Sequence, residues 1–206
     1  MLRIDIQASA INNLTDARYF AAREAKWLCF SLEQSNTPTI SAIKEWVDGI
    51  EIVVAFSLQT TEEILEIASF LSLKSIQLGP FYNASDAAQI SQFQITKEII
   101  VPDPENWQEL DETLRKFNAV SDYLLLDFHK NGISWKNLQE AHLQKIRDWC
   151  TKYNILLSVA FQTDDMDSIL GVGATGIDLK GSEEEKVGYK SFEELDDILD
   201  MLEVEE

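Results

Sequence analysis

Short runs of β-branched, aromatic and aliphatic residues recur along the chain at regular intervals. They are "LRIDI" (2–6), "WLCFSL" (27–32), "IEIVVAF" (50–56), "SIQL" (75–78), "EIIV" (98–101), "YLLLDF" (123–128), "ILLSVAF" (155–161) and "GIDL" (176–179). Most are continuously apolar rather than alternating, the pattern of strands buried on both faces. Between them the apolar period changes to that of helices. "DPENWQELDETLRKF" places Trp107, Leu110, Leu114 and Phe117 on one stripe, with Asp103 as the expected N-cap and Pro104 at the first helical position. "TTEEILEIASFL" offers Thr60 and Glu63 as a capping box ahead of an Ile64, Leu65, Ala68 and Leu71 face. "SFEELDDILDML" repeats the design with Ser191 and Glu194. Weaker helical stretches begin near Leu14, Ser41, Ser85, Asn137 and Asp164.

The order is therefore strand, helix, strand, helix, about eight times over, and strict alternation implies a parallel sheet with right-handed crossovers. Eight such units close into a (β/α)8 TIM barrel, an α/β fold in which residues 1–206 form a single domain. A doubly wound open sheet is the alternative, but it rarely needs eight evenly spaced units. In a barrel, ligands belong at the carboxyl ends of the strands.

Composition narrows the partners. A formal net charge of −19 repels polyanions, so nucleic acid and anionic membrane surfaces are not expected. The opening "MLRIDIQAS" lacks a basic segment followed by an apolar run, and no stretch approaches a membrane span, so a cytoplasmic protein is expected. Cys29 and Cys150 lie far apart in apolar patterns and read as buried reduced thiols. His129 and His142 form no ligand pattern, so neither a metal nor another cofactor is expected. Trp46, Trp107 and Trp149 fall on apolar helical faces and read as outer-layer packing, whereas Trp135, Phe81 and Tyr82 fall in loops on the catalytic side.

"INNLTDARYFAAREAKWLCF" (11–30) resembles the first βα unit of the phosphoribosylanthranilate isomerase family, whose pattern runs Lys-Ile-Cys-Gly-Ile-Thr-Asn-Leu-x-Asp-Ala. "TTEEILEIASFLSLKSIQLGP" (60–80) is similar to its third helix and fourth strand, and "YLLLDFHKNG" (123–132) to its sixth strand. The resemblance implies a cofactor-free Amadori rearrangement of an anthranilate-bearing phosphoribosylamine in the tryptophan pathway, with an aspartic acid opening the ribose ring and a cysteine thiolate taking the C2 proton. It assigns the acid to Asp127, which a purely local reading would make a loop cap. For the base it supplies no thiol. Anchored on the Asn-Leu-x-Asp-Ala segment, the cysteine position falls on Ser9, the lysine on Gln7 and the glycine on Ala10. Anchored on "LRIDI", the cysteine position falls on Gln7. A serine hydroxyl is a poor replacement for a thiolate, and Cys29 lies within a strand rather than at its end. His129 falls on the face of Asp127 if the sixth strand continues.

The expected phosphate grip is changed as well. Ser158, Val159, Ala160 and Phe161 stand in place of Ser-Gly-Gly-Leu after the seventh strand, and a side chain at either former glycine blocks close backbone approach. After the eighth strand, Asp178 matches the family's aspartate. Lys180, Gly181 and Ser182 occupy the phosphate-loop region, crowded by Glu183, Glu184 and Glu185. The family's arginine in the second βα loop corresponds to Pro38, its histidine in the fourth to Gly79, and the loop after the sixth strand retains Lys130 and Gly132. Three readings follow: an isomerase-like barrel with little or no isomerase activity; a working isomerase rebuilt from Ser9, His129 or Asp5 with Lys180; or another sugar-phosphate enzyme using Asp127 with Asp5 or Gln7. Partners are then a small phosphorylated metabolite, another protein or a second copy of the chain.

Overall fold

A computed structural model describes residues 2–181, 184–186, 189–190 and 192–204. Eight parallel strands close in chain order into a barrel: β1 (Asp5–Ser9), β2 (Trp27–Ser31), β3 (Glu51–Phe56), β4 (Ser75–Leu78), β5 (Gln94–Ile100), β6 (Tyr123–Asp127), β7 (Ile155–Ser158) and β8 (Gly176–Lys180). The helices that return between them are α1 (Leu14–Ala22), α2 (Thr37–Lys44), α3 (Thr61–Phe70), α4 (Ala84–Gln89), α5 (Trp107–Asn118), α6 (Glu140–Cys150), α7 (Met166–Gly171) and α8 (Glu193–Leu202). Two short antiparallel strands, β9 (Glu184–Lys186) and β10 (Tyr189–Lys190), follow β8. The fold is the expected (β/α)8 barrel. No helix among the described residues is long and apolar enough to cross a membrane.

Strand parity divides the side chains into two environments. Ile6, Ala8, Leu28, Phe30, Val54 and their equivalents pack against the helices in one large buried cluster. The opposite parity points into the barrel, where Trp27, Cys29, Val53, Leu125 and Leu156 form a separate apolar layer. Closure brings β1 and β8 so near that a Cβ on Gly176 would lie 2.7 Å from the Asp5 carbonyl oxygen and 2.8 Å from Leu156. Only glycine fits this seam.

Several local expectations change. The first strand is Asp5–Ser9, three residues later than the "LRIDI" run, which moves Ser9 from loop to strand end. Thr60 and Glu63 form the expected reciprocal cap, Thr60 N to Glu63 Oε2 at 2.7 Å and Glu63 N to Thr60 Oγ1 at 3.3 Å. Asp103 makes no side-chain cap; a 3-10 turn over Pro104–Asn106 leads into α5 instead. The segment at Asn137 closes another 3-10 turn, Trp135–Asn137, and α6 begins at Glu140. The expected cap Ser191 lies outside the described residues. Trp107 and Trp149 are buried as expected, but Trp46 is 65% exposed, beyond the end of α2, with the Arg18 guanidinium 5.5 Å from its ring. Trp135 is buried, with Nε1 donating to Ser168 Oγ at 3.1 Å. Phe81 is exposed, while Tyr82 is buried and ties two mouth loops together through its hydroxyl, which donates to the Gln59 carbonyl at 2.7 Å.

Candidate active site

Above the apolar layer, toward the strands' carboxyl ends, the barrel interior turns polar. Gln7, Gln77, Glu98, Asp127, Ser158 and Asp178 are all buried there. Each pairing is long-range in sequence. The Gln7 amide Nε2 donates to Gln77 Oε1 at 3.0 Å and to Asp178 Oδ1 at 3.1 Å. Ser9 Oγ and Ser158 Oγ both donate to Asp178 Oδ2, at 3.0 and 2.9 Å. The Cys29 thiol, deeper in the barrel, faces Gln77 Oε1 at 3.6 Å, and burial pushes its pKa well up.

Asp178 is thus the hub of the mouth, joining β1, β7 and β8. Its removal from water raises its pKa from 3.8 to about 6, against the lowering effect of the hydrogen bonds from Ser158, Gln7 and Ser9 and of the Lys180 charge. Lys180 pairs in register with Ser9 on the adjoining strand and is itself exposed. Gly181 follows, its N–H donating to the Ser9 carbonyl at 2.9 Å. Ser182 and Glu183 lie outside the described residues.

Asp127 closes β6, beside Ser158 in register. Its Oδ1 accepts from the backbone N–H groups of His129 at 2.8 Å and Lys130 at 3.2 Å, so it caps the turn that follows, as the local reading expects. Its Oδ2 faces Lys130 Nζ at 3.8 Å, and that ammonium is ion-paired with Glu98 from β5. His129 does not continue the strand; it starts a 3-10 turn. Its pKa is lowered, first by burial and then by the Lys180 charge, with Asp127 opposing. Asp5 sits one inward position below Gln7, at the start of β1, ion-paired with Lys26 at 2.5 Å, remote from the mouth.

The loop after β7 is held by its neighbour rather than left open. Ala160 bridges Ser134 in parallel, and its carbonyl accepts the Trp135 N–H at 2.8 Å. Val159 is buried. Pro38 lies in the first turn of α2. Ala10, directly after β1, has φ +56°, a left-handed conformation that favours glycine. No cluster of three or more His, Cys, Asp or Glu side chains among the described residues could hold a metal ion.

Comparison with known proteins identifies the lineage of this mouth. The profile of the family described as N-(5'-phosphoribosyl)anthranilate (PRA) isomerase matches residues 8–201. The chain belongs to that family. The phosphoribosyl anthranilate isomerase of Thermus thermophilus superposes with a TM-score of 0.76 at 21% identity, covering 97% of this chain and 98% of that one. The Thermotoga maritima isomerase gives a TM-score of 0.78 at 19% identity, covering 95% and 97%. A phosphoribosyl anthranilate isomerase in complex with reduced 1-(o-carboxyphenylamino)-1-deoxyribulose 5-phosphate gives 0.76 at 18% identity, covering 95% and 96%. No curated protein sequence matches the chain. Within the phosphoribosylanthranilate isomerase fold, the structure gathers Ser9, Gln7 and Asp178 into one network and places Asp127 and Lys130 together on the adjoining side. The residues that sequence reading passed over are Gln77 and Glu98, and it gave Ser158 no partner. Their one signal was polarity at inward strand positions.

Proposed function

We propose that this chain is a phosphoribosylanthranilate isomerase-like barrel that turns over phosphoribosylanthranilate little or not at all. The observation that carries this reading is the state of the base position. Ser9 is the last residue of β1, two inward positions past Asp5 and one past Gln7, and the left-handed Ala10 follows where the family pattern has its glycine. A thiolate is thereby replaced by a hydroxyl whose proton is committed to Asp178. Anchoring is weakened at the same time. Buried Val159 and bridged Ala160 stand where the pattern has two glycines, and Lys180, Gly181 and Lys130 are, among the described residues, the groups left to meet an anion. Asp127 stands at the acid's place, at the end of β6.

A steady-state assay on freshly generated phosphoribosylanthranilate, following loss of substrate fluorescence, tests the reading, with Asp127→Asn as control. The expected result is a rate near that of the control. Rapid turnover abolished by Asp127→Asn would overturn it in favour of a fully rebuilt isomerase.

A further inference from the structure

We propose that Asp178 is the base of this mouth: the carboxylate that accepts the C2 proton of the ring-opened substrate, held in place by Ser9, Ser158 and Gln7. The proposal rests on reading the mouth as a weakened isomerase site, and it assigns the proton transfer that the missing thiol leaves without an acceptor.

Geometry supports it in three ways. An ionised carboxylate offers about four acceptor positions; hydrogen bonds from Gln7, Ser9 and Ser158 fill three of them, leaving one for a proton. Those donors come from strands on both sides of β8, so they fix the carboxylate's orientation as positioning residues. Second, Asp127, Ser158, Asp178 and Gln7 occupy successive places around the barrel wall, on β6, β7, β8 and β1. With neighbouring strands about 4.8 Å apart, Asp127 and Asp178 reach inward from backbones about 10 Å apart, a separation comparable with the length of a pentose chain. Third, Ser9 is half-buried at the rim while Asp178 lies just behind it, so a ligand resting on Ser9 meets Asp178 next.

The chemistry balances without a co-reactant. Asp127 protonates the ring oxygen as the C1–O bond breaks, giving the protonated C1=N Schiff base. The C2–H bond then breaks, its proton passing to Asp178. Its electron pair forms the C1=C2 bond, and the C1=N pair returns to nitrogen. The resulting enolamine, which carries the C2 hydroxyl, becomes the ketone as C1 takes up a proton and the hydroxyl releases its own to solvent, its O–H pair forming the C2=O bond while the C1=C2 pair takes the proton at C1. A base is most effective when its pKa lies near the working pH, and burial brings Asp178 to about 6.

The test is exchange of the substrate's C2 hydrogen with solvent deuterium, read by mass spectrometry and NMR. Phosphoribosylanthranilate is maintained in situ from anthranilate and ribose 5-phosphate, and wild type is compared with Asp178→Asn, Ser9→Ala and Asp127→Asn. The expected result is exchange by wild type that rises with pH through about 6. Asp178→Asn should cut it about 100-fold or more, with binding of the reduced ketose-phosphate analogue unchanged. In Ser9→Ala the profile should move to higher pH, because a hydrogen bond that favours the charged carboxylate is gone, and a purely structural serine would not move it. Should Asp178→Asn fail to fold, the Ser9→Ala profile decides the question. No exchange by folded wild type, exchange equal in Asp178→Asn, or an unmoved Ser9→Ala profile would overturn the assignment. Exchange without net ketose keeps both this base and the proposed function. Exchange with rapid net isomerisation keeps the base and overturns the proposed function.

Discussion

Replacing Asp178 by Asn should make the protein more stable at neutral pH, and the structure gives the size of the effect. In the folded chain the carboxyl titrates at about 6, against 3.8 when it is free in water. Between those values the native state holds a proton that the unfolded chain has released, so the stability contributed by the protonated form is lost as pH rises through that window. The gap, at about 1.36 kcal/mol per pH unit, amounts to about 3 kcal/mol of destabilisation by Asp178 above pH 6. Asn keeps the shape and the bonding: its oxygen can accept from Gln7 Nε2, and its amide can donate to Ser9 and Ser158, whose hydroxyls accept as readily as they donate. Urea unfolding at a series of pH values from acid to neutral measures the difference. With a slope of roughly 2 kcal/mol per molar urea, the variant's midpoint at pH 7 should lie about 1 to 1.5 M above wild type, and the two should converge at pH 4. Because the chain carries −19, loss of any negative charge stabilises it somewhat. Glu66→Gln, on the exposed face of α3, measures that general effect. A variant that is less stable at pH 7, or whose advantage does not change with pH, would refute the burial argument.

Three further outcomes follow from local geometry. Ala10→Gly should raise stability by about 0.5 to 1 kcal/mol in thermal or urea unfolding, since Ala10 holds φ +56° against the preference of an L side chain. Thr60→Ala should lower it by about 1 kcal/mol, because the capping box of α3 loses the hydroxyl that accepts from Glu63 N. The native protein should resist a thiol reagent at pH 8 until urea is added, because burial raises the pKa of Cys29 well above its ordinary value and that of Cys150 to about 12.

The barrel was legible wherever its wall is apolar on both faces. "IVVAF", "LLLD" and "ILLS" can hardly be anything but buried strands, and their spacing carries the eightfold repeat. Legibility failed where the wall turns polar for a reason that lies elsewhere in the chain. Strand β5 begins at Gln94, four residues before its apolar run, because Lys97 finds the Gly79 carbonyl and Glu98 finds Lys130, partners that no local pattern reveals. The start of β1 was misplaced because "LRIDI" and "DIQAS" alternate equally well. Its true register turns Gln7 and Ser9 toward Asp178, 171 and 169 residues away. Trp46 was misread because helical period does not show where a helix stops.

The same contrast bears on what the mouth keeps. Its middle layer is Trp27, Cys29, Val53, Leu125 and Leu156, so this chain fills barrel interior with apolar side chains where no polar group is required. One layer higher it keeps a carboxylate whose burial works against stability above pH 6, together with three donors arranged to hold it. A mouth kept only for packing would gain from Asn at position 178. Besides Ser9 at the base position, the departures from the family pattern fall where the resemblance implies groups that grip the ends of the substrate: Pro38 for the arginine, and Val159 and Ala160 for the phosphate glycines. Binding energy from such remote groups is what an enzyme uses to bring the reacting centre toward the transition state. If the mouth is the weakened isomerase site proposed above, a weaker grip beside carboxyls on β6 and β8 would favour proton exchange over net turnover of phosphoribosylanthranilate.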